Sequence, residues 1–219
     1  MNHTRIGAVV RRATHDDAGP LVSVLAEAFL DGPVADWLVP DPAVRRVVFH
    51  RYFQVVLRHG LDHGHVDTTH DLSAVAIWHP RTEPPRGVDP EHQAAVEKAT
   101  GVYARKFQVL DAMFEAWHPR QPHHYLTHVA VDPPRQNHGI GSALLASYHW
   151  QLDRLGLPAY LEATNHRNRH LYTRLGYQPG PPLILPAEGP TIWRMWRQRP
   201  TGAVTSRFPA DTPPDPRTP

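Results

Sequence analysis

The chain has 219 residues, 23 lysines and arginines against 21 aspartates and glutamates, a formal net charge of +2, and no cysteine. That length suits one domain with a substantial core, and the near-even charge balance gives no basic run for a nucleic acid. The missing thiols exclude disulfides, thiolate metal sites and an acyl-enzyme through sulfur.

No apolar run approaches a membrane span, and the first residues lack the apolar centre of a signal peptide, so a cytoplasmic protein with no membrane partner is expected. Histidine is frequent at 17 residues, but no His-Glu-x-x-His pattern or carboxylate cluster accompanies His63, His65, His118, His123 and His124. Surface and loop histidines are therefore expected, and no metal.

In chain order, residues 8–13 read as a strand, and Thr14, Asp16 and Asp17 open a helix whose apolar face is Leu21, Val24, Leu25, Ala28 and Phe29. Asp31, Gly32 and Pro33 stop it. Pro40, Asp41 and Pro42 start a second helix, carrying Val44, Val47, Val48, Tyr52, Val55 and Val56 until His59 and Gly60. Residues 65–69 and 73–78 form a hairpin around His70 and Asp71. A proline-rich loop over 80–90 precedes helices over 91–107 and 109–117, whose aromatics Tyr103, Phe107, Phe114 and Trp117 either pack or line a cleft.

The most informative stretch is 126–145. Val129, Ala130 and Val131 are a strand that Pro133 and Pro134 cannot continue, and Gly139, Gly141, Ser142 and Ala143 open a helix ending near Leu155 and Gly156. A loop meeting a helix front suits a phosphate, because first-turn amides lack intrahelical partners and the helix dipole favours negative charge there. A phosphate loop of the Gly-Lys-Ser type is excluded, since no lysine follows the glycines. A dinucleotide fingerprint would need a third glycine where Leu144 stands, and too little chain follows Glu162 for further strand-helix units. A plain strand-turn-helix packed through small residues is the remaining alternative.

Residues 159–163 then read as a strand and 165–175 as a helix, capped by Asn165 and stopped by Gly176. Gly180, Pro181 and Pro182 suggest a turn, with final strands over 183–185 and 191–196. Trp193, Met195 and Trp196 offer either a homodimer contact or sheet burial. Beyond Arg199 the proline-rich residues have too little apolar content to order themselves, which gives one domain over 1–198 and a disordered tail over 199–219.

The run Gln136-Asn137-His138-Gly139-Ile140-Gly141, after Val129-Ala130-Val131-Asp132-Pro133, resembles the acetyl-CoA signature Gln/Arg-x-x-Gly-x-Gly/Ala of the GCN5-related N-acetyltransferases (GNAT). Residues 160–177, ending Tyr172-Thr-Arg-Leu-Gly176-Tyr177, are similar to that family's last strand and helix. Arg12, Asp16, Asp17, Arg167, Asn168 and the late Glu188-Gly-Pro-Thr191 resemble the members typified by puromycin N-acetyltransferase. The resemblance covers about residues 8–198.

It implies an α/β fold with a central mixed sheet of six to seven strands, splayed in the middle and flanked by helices. It implies acetyl-CoA as co-substrate, with its pyrophosphate on the amides of Gln136, Asn137, His138, Gly139, Ile140, Gly141 and Ser142, and pantetheine along Val129, Ala130 and Val131. Val129 N–H would polarise the thioester, Asn168 would bond the cofactor arm, and Tyr172 would be general acid. The family's glutamate position falls on Tyr125, so Glu162 and His128 are the candidate bases; simple strand alternation sets His128 on the opposite face from Thr127 and Val129. Residues 29–37 correspond to the loop that covers the acceptor, making Asp31, Asp36 and Trp37 the candidate substrate contacts. The expected partner is a small-molecule amine such as an aminonucleoside or another amine-bearing antibiotic, hence resistance. A protein or peptide acceptor and a non-catalytic acyl-CoA sensor are the alternatives.

Overall fold

The computed structural model describes residues 9–82 and 89–198. The disordered tail expected over 199–219, residue 8 of the first strand and most of the 80–90 loop lie outside them. The elements are β1 (Val10–Arg12), α1 (Ala18–Ala28), α2 (Pro33–Leu38), α3 (Pro42–His63), β2 (His65–Thr69), β3 (Ala74–Arg81), α4 (Pro90–Thr100), α5 (Ala104–Ala116), β4 (His123–Val131), α6 (Ile140–Leu155), β5 (Ala159–Ala163), α7 (His166–Arg174), β6 (Gln178–Ile184) and β7 (Thr191–Arg197). Single 3₁₀ turns precede α1, α5 and α6.

Seven strands make one mixed sheet in the order β1-β2-β3-β4-β5-β7-β6. Every neighbouring pair is antiparallel except β4 with β5, which run parallel and pair at His124 with Ala159 and Tyr125 with Tyr160. Past Tyr125 the two strands diverge, which is the expected splay.

Strand alternation sends β3 side chains to two cores. Val75 and Ile77 pack with Leu21 and Leu25 of α1 and with Phe49, Phe53 and Leu57 of α3. Ala74, Ala76 and Trp78 pack on the other face with Leu144, Leu145 and Leu152 of α6 and with Leu161 and Met195. Trp78 and Ile77 are fully buried, as expected of a central strand.

The structure departs from the sequence expectations at several places. Residues 33–38, expected as loop, form the short helix α2, with Pro33 in its first turn. α3 runs through Gly60 to His63; a Cβ at Gly60 would lie 2.7 Å from Ile77 Cγ2, so glycine there permits close helix-sheet approach and does not end the helix. The break expected near residue 108 falls at Gly101, whose φ of +56° terminates α4. Gly180, Pro181 and Pro182 are not a turn but part of β6, an edge strand whose pairing is irregular between Pro179 and Pro182. An edge tolerates the missing proline N–H groups. Met195 and Trp196 are buried within the chain itself, which removes them as a basis for a dimer contact.

Candidate active site

The path from β4 to α6 is set by local chemistry. Pro133, Pro134 and Arg135 make a 3₁₀ turn, Asn137 adopts φ +68°, and Gly139 caps α6 in the left-handed region at φ +81°. Gln136 Nε2 donates to Val131 O at 3.1 Å, fastening the turn to the strand end. Arg135 is ion-paired to Asp71, and Arg167 of α7 donates to Asn137 Oδ1 at 2.6 Å.

Gly139 brings no side-chain acceptor to the first turn of α6. A Cβ at Gly139 would meet nothing within 4 Å, and one at Gly141 would meet only Val131 Cγ2 at 3.4 Å. The front of the helix is thus unobstructed, with Asn137, His138 and Gly139 exposed and Ile140, Gly141 and Ser142 half-buried behind them. Such a cradle of amides at a helix N-terminus fits a diphosphate. Arg167 beside it adds positive charge, while that of Arg135 is offset by Asp71.

The second part of the site is the opening between the diverging strands. Opposite Ile77 stands His128 and opposite Trp78 stands Leu126, so Thr127 is the extra residue of a bulge in β4, its Oγ1 donating to Ile77 O at 3.1 Å. His128 faces Phe29 and Phe53 on the α1–α3 side while Val129 packs on the α6 side, as alternation requires; Thr127, His128 and Val129 all line one cleft because it passes between the diverging strands. That cleft encloses about 940 Å³ of space free of protein atoms, partly open to solvent, and passes from the α1–α3–α5 side to Tyr172 and Asn168 of α7.

Glu162, Tyr172 and His128 share this cleft. Burial pushes the Glu162 carboxyl up to about 7, against the Tyr125 and Tyr160 hydroxyls and the Arg194 guanidinium, which favour the charged form. Its Oε1 is buried without a hydrogen-bond partner. A carboxylate of that affinity is poised to exchange a proton near neutrality. His128 is enclosed by rings, 5.6 Å from Phe29 and 5.5 Å from Phe53, and burial lowers its affinity to about 4. It is therefore neutral at pH 7 and a weak base.

Tyr172 is 5% exposed, and burial raises its phenol above the ordinary range, so it holds its proton firmly. Asn165 is committed to its helix: Oδ1 accepts from Asn168 N at 2.8 Å. Asn168 also lines the cleft. Of the expected pantetheine strand, Val129 and Val131 are half-buried and Ala130 is in the core.

Among the expected acceptor residues, Asp31 is exposed and lines the cleft. Asp36 and Trp37 do not line it. Asp36 is paired with the buried Arg45 at 2.6 Å. Trp37 Nε1 donates to Pro186 O at 3.1 Å, and Lys106 lies over its ring at 5.4 Å. Phe107 and Phe114 of α5, named from the sequence as either packing or lining a cleft, do line it; what sequence reasoning missed is that Phe29 at the end of α1 and Phe49, Tyr52 and Phe53 of α3 join them in one aromatic wall. The adjacent Tyr52 and Phe53 were the available signal. Among the described residues, no group of three or more His, Asp or Glu side chains is placed to hold a metal ion, and no helix is long and apolar enough to cross a membrane.

Residues 101–179 match the family model described as an acetyltransferase (GNAT) domain. A solved structure described as histone acetyltransferase HPA2 and related acetyltransferase from Corynebacterium glutamicum is 27% identical, over 91% of this chain and 100% of that one, with a TM-score of 0.67. A mosquito arylalkylamine N-acetyltransferase-like structure is 13% identical over 87% and 99% of the two chains, with a TM-score of 0.52. A Drosophila melanogaster polyamine N-acetyltransferase is 16% identical over 87% and 99%, with a TM-score of 0.54. The last two likenesses concern the fold.

Proposed function

We propose that this chain, which carries a GNAT acetyltransferase domain and has the fold of one, transfers the acetyl group of acetyl-CoA directly to the primary amine of a small molecule. The observation that carries the reading is the buried carboxyl of Glu162, with an unpartnered oxygen, in the same cleft as the protonated Tyr172.

The open front of α6 fits a CoA pyrophosphate, and residues 136–142 would hold it. Val129 and Val131 lie at the splayed edge where a pantetheine arm can pair as a short extra strand, and the Val129 N–H is the donor for the thioester oxygen. Bound acetyl-CoA supplies an activated acyl carbon. Glu162, ionised above pH 7, takes a proton from the incoming ammonium and leaves a nucleophilic amine. Asn168 steadies the arm. As the carbon–nitrogen bond forms and the carbon–sulfur bond breaks, Tyr172 gives its proton to the departing thiolate, and the nitrogen's remaining excess proton returns to the Tyr172 phenolate, leaving a neutral amide and a thiol. His128, neutral, contributes shape and a hydrogen-bonding atom rather than basicity.

An aminonucleoside or other amine-bearing antibiotic as acceptor, and with it a resistance role in the cytoplasm, is the finer form of the proposal. The resemblance of Arg167, Asn168 and Tyr172 to puromycin-modifying members supports it. A protein acceptor is the second reading, favoured by the histone acetyltransferase description of the 27% identical structure. The cleft argues against it, because its acceptor end is walled by six aromatic rings rather than laid open as a groove. The test is CoA release from acetyl-CoA with aminonucleosides, simple amines and histone-tail peptides, alongside calorimetry with CoA. Turnover of peptides alone would overturn the small-molecule reading, and failure to bind CoA would overturn both.

A further inference from the structure

The wall of the acceptor cleft differs in chemistry from its floor. Phe29, Phe49, Tyr52, Phe53, Phe107 and Phe114 form the wall, and among the described residues Asp31 and Glu162 are the carboxylates lining the cleft. The rings are already arranged as a network. Phe29 and Phe53 lie 5.1 Å apart, Tyr52 and Phe107 4.8 Å, and Phe49 sits edge-on to Phe53 and Phe107 at 6.0 and 6.3 Å. Tilted and edge-to-face contacts at these separations are what aromatic rings prefer. His128, held neutral, closes the network against Phe29 and Phe53 and carries no charge to attract or repel a second ion.

From this we infer that the acceptor is a primary amine carried on an aromatic body, and that the cleft discriminates against linear polyamines. The inference rests on the acetyltransferase reading and specifies its substrate. An aromatic guest entering with its amine toward Glu162 extends the ring network along the wall. A polyamine directed the same way lays further ammonium groups against rings, whose attraction for a cation, about 0.5–2 kcal/mol, offsets only part of the hydration each loses where no carboxylate lines the wall. Asp31, exposed at the rim, is the remaining lining carboxylate, and Asp111 of α5 lies outside the lining.

The test compares phenethylamine and tryptamine with hexylamine, agmatine and spermidine, at fixed acetyl-CoA, by kcat/KM, and in parallel by thermal shift and calorimetry on the CoA-bound protein. The expected result is a preference of at least about tenfold for the aromatic amines over hexylamine, and more over agmatine and spermidine, in line with what apolar pocket contacts supply. Phe114→Ala and the milder Phe114→Leu should narrow the gap between aromatic amines and hexylamine, with Leu retaining more of it. Equal turnover of phenethylamine and hexylamine, a preference for agmatine, or a gain with octanoyl-CoA that makes the amine's body irrelevant would each overturn the inference. If CoA binds and no amine is acetylated, the small-amine reading fails. Tighter binding of phenethylamine than of agmatine would then still support the cleft's aromatic selectivity, and the reverse would refute it.

Discussion

Replacing Glu162 by glutamine should make the protein more stable and less active, each in a pH-dependent way. Burial moves the carboxyl from its ordinary 4.5 to about 7 in the folded chain. Below pH 4.5 both folded and unfolded forms hold the proton, and the group contributes no difference. Between 4.5 and 7 the unfolded chain has lost a proton that the folded one keeps, so stability falls as pH rises. Above 7 the folded chain carries a buried carboxylate and the full cost is present. Each tenfold change in proton affinity is worth about 1.4 kcal/mol, so that cost is about 3 kcal/mol.

Glutamine keeps the shape and cannot ionise. At pH 8.5 Glu162→Gln should therefore unfold later than the parent by up to about 3 kcal/mol, equivalent to about 6–12 °C in Tm for a chain of this size. The gain should disappear toward pH 4.5. Urea unfolding of both proteins at several pH values measures it, because titrations common to the two cancel. In the same buffers, CoA release by the parent should rise about tenfold per pH unit below 7 and level off above, while the variant should lose that profile and about 10²–10⁴-fold in rate. A variant that is destabilised equally at every pH, or that keeps the parent's profile, would refute the reasoning.

Tyr172→Phe should lower kcat with CoA binding retained by calorimetry, because the ring's packing survives and the proton does not. Gly139→Ala should cost about 1–2 kcal/mol of stability, since alanine is strained at φ +81°, and should weaken CoA more than that strain explains, because the new methyl enters the cradle. Measuring CoA affinity beside the urea midpoint separates the two effects. Arg45→Met should cost about 2–4 kcal/mol: the buried guanidinium donates to Val39 O, Leu30 O and Pro40 O, and methionine leaves them without it. Asp36→Asn, at the exposed end of the same pair, should change the urea midpoint by less than about 1 kcal/mol. Equal effects at the two positions would show that the charge pair, not the carbonyl cluster, holds the loop.

The frame from β4 to α7 was legible because its signals act locally. Pro133 and Pro134 end a strand, Gly139 and Gly156 bracket a helix, and Asn165 caps the next whatever surrounds them. Elements that depend on position in the sheet were not. The prolines of β6 read as a turn, and only its place at the edge makes them acceptable as strand. Gly60 read as a helix stop because the side chains that crowd it, Ile77 and Val66, lie on other elements. The bulge at Thr127 is a property of pairing with β3 and no alternation pattern reveals it, although alternation does set His128 on the opposite face from Val129. Likewise the cleft's wall joins Phe29, Phe53 and Phe107, which no sequence window holds together. The buried Glu162 was visible as a residue, but its affinity for protons was not, since that comes from what covers it.

The parallel seam between β4 and β5 is stitched at one end only, by the pairs at His124 and Tyr125. Mechanically the sheet is two panels, β1–β4 and β5–β7, sharing a short hinge and otherwise clamped by side chains on either face. An extended arm lying in that gap would supply the missing rungs, so the same opening that admits it is where the two panels would be joined by something other than their own backbone.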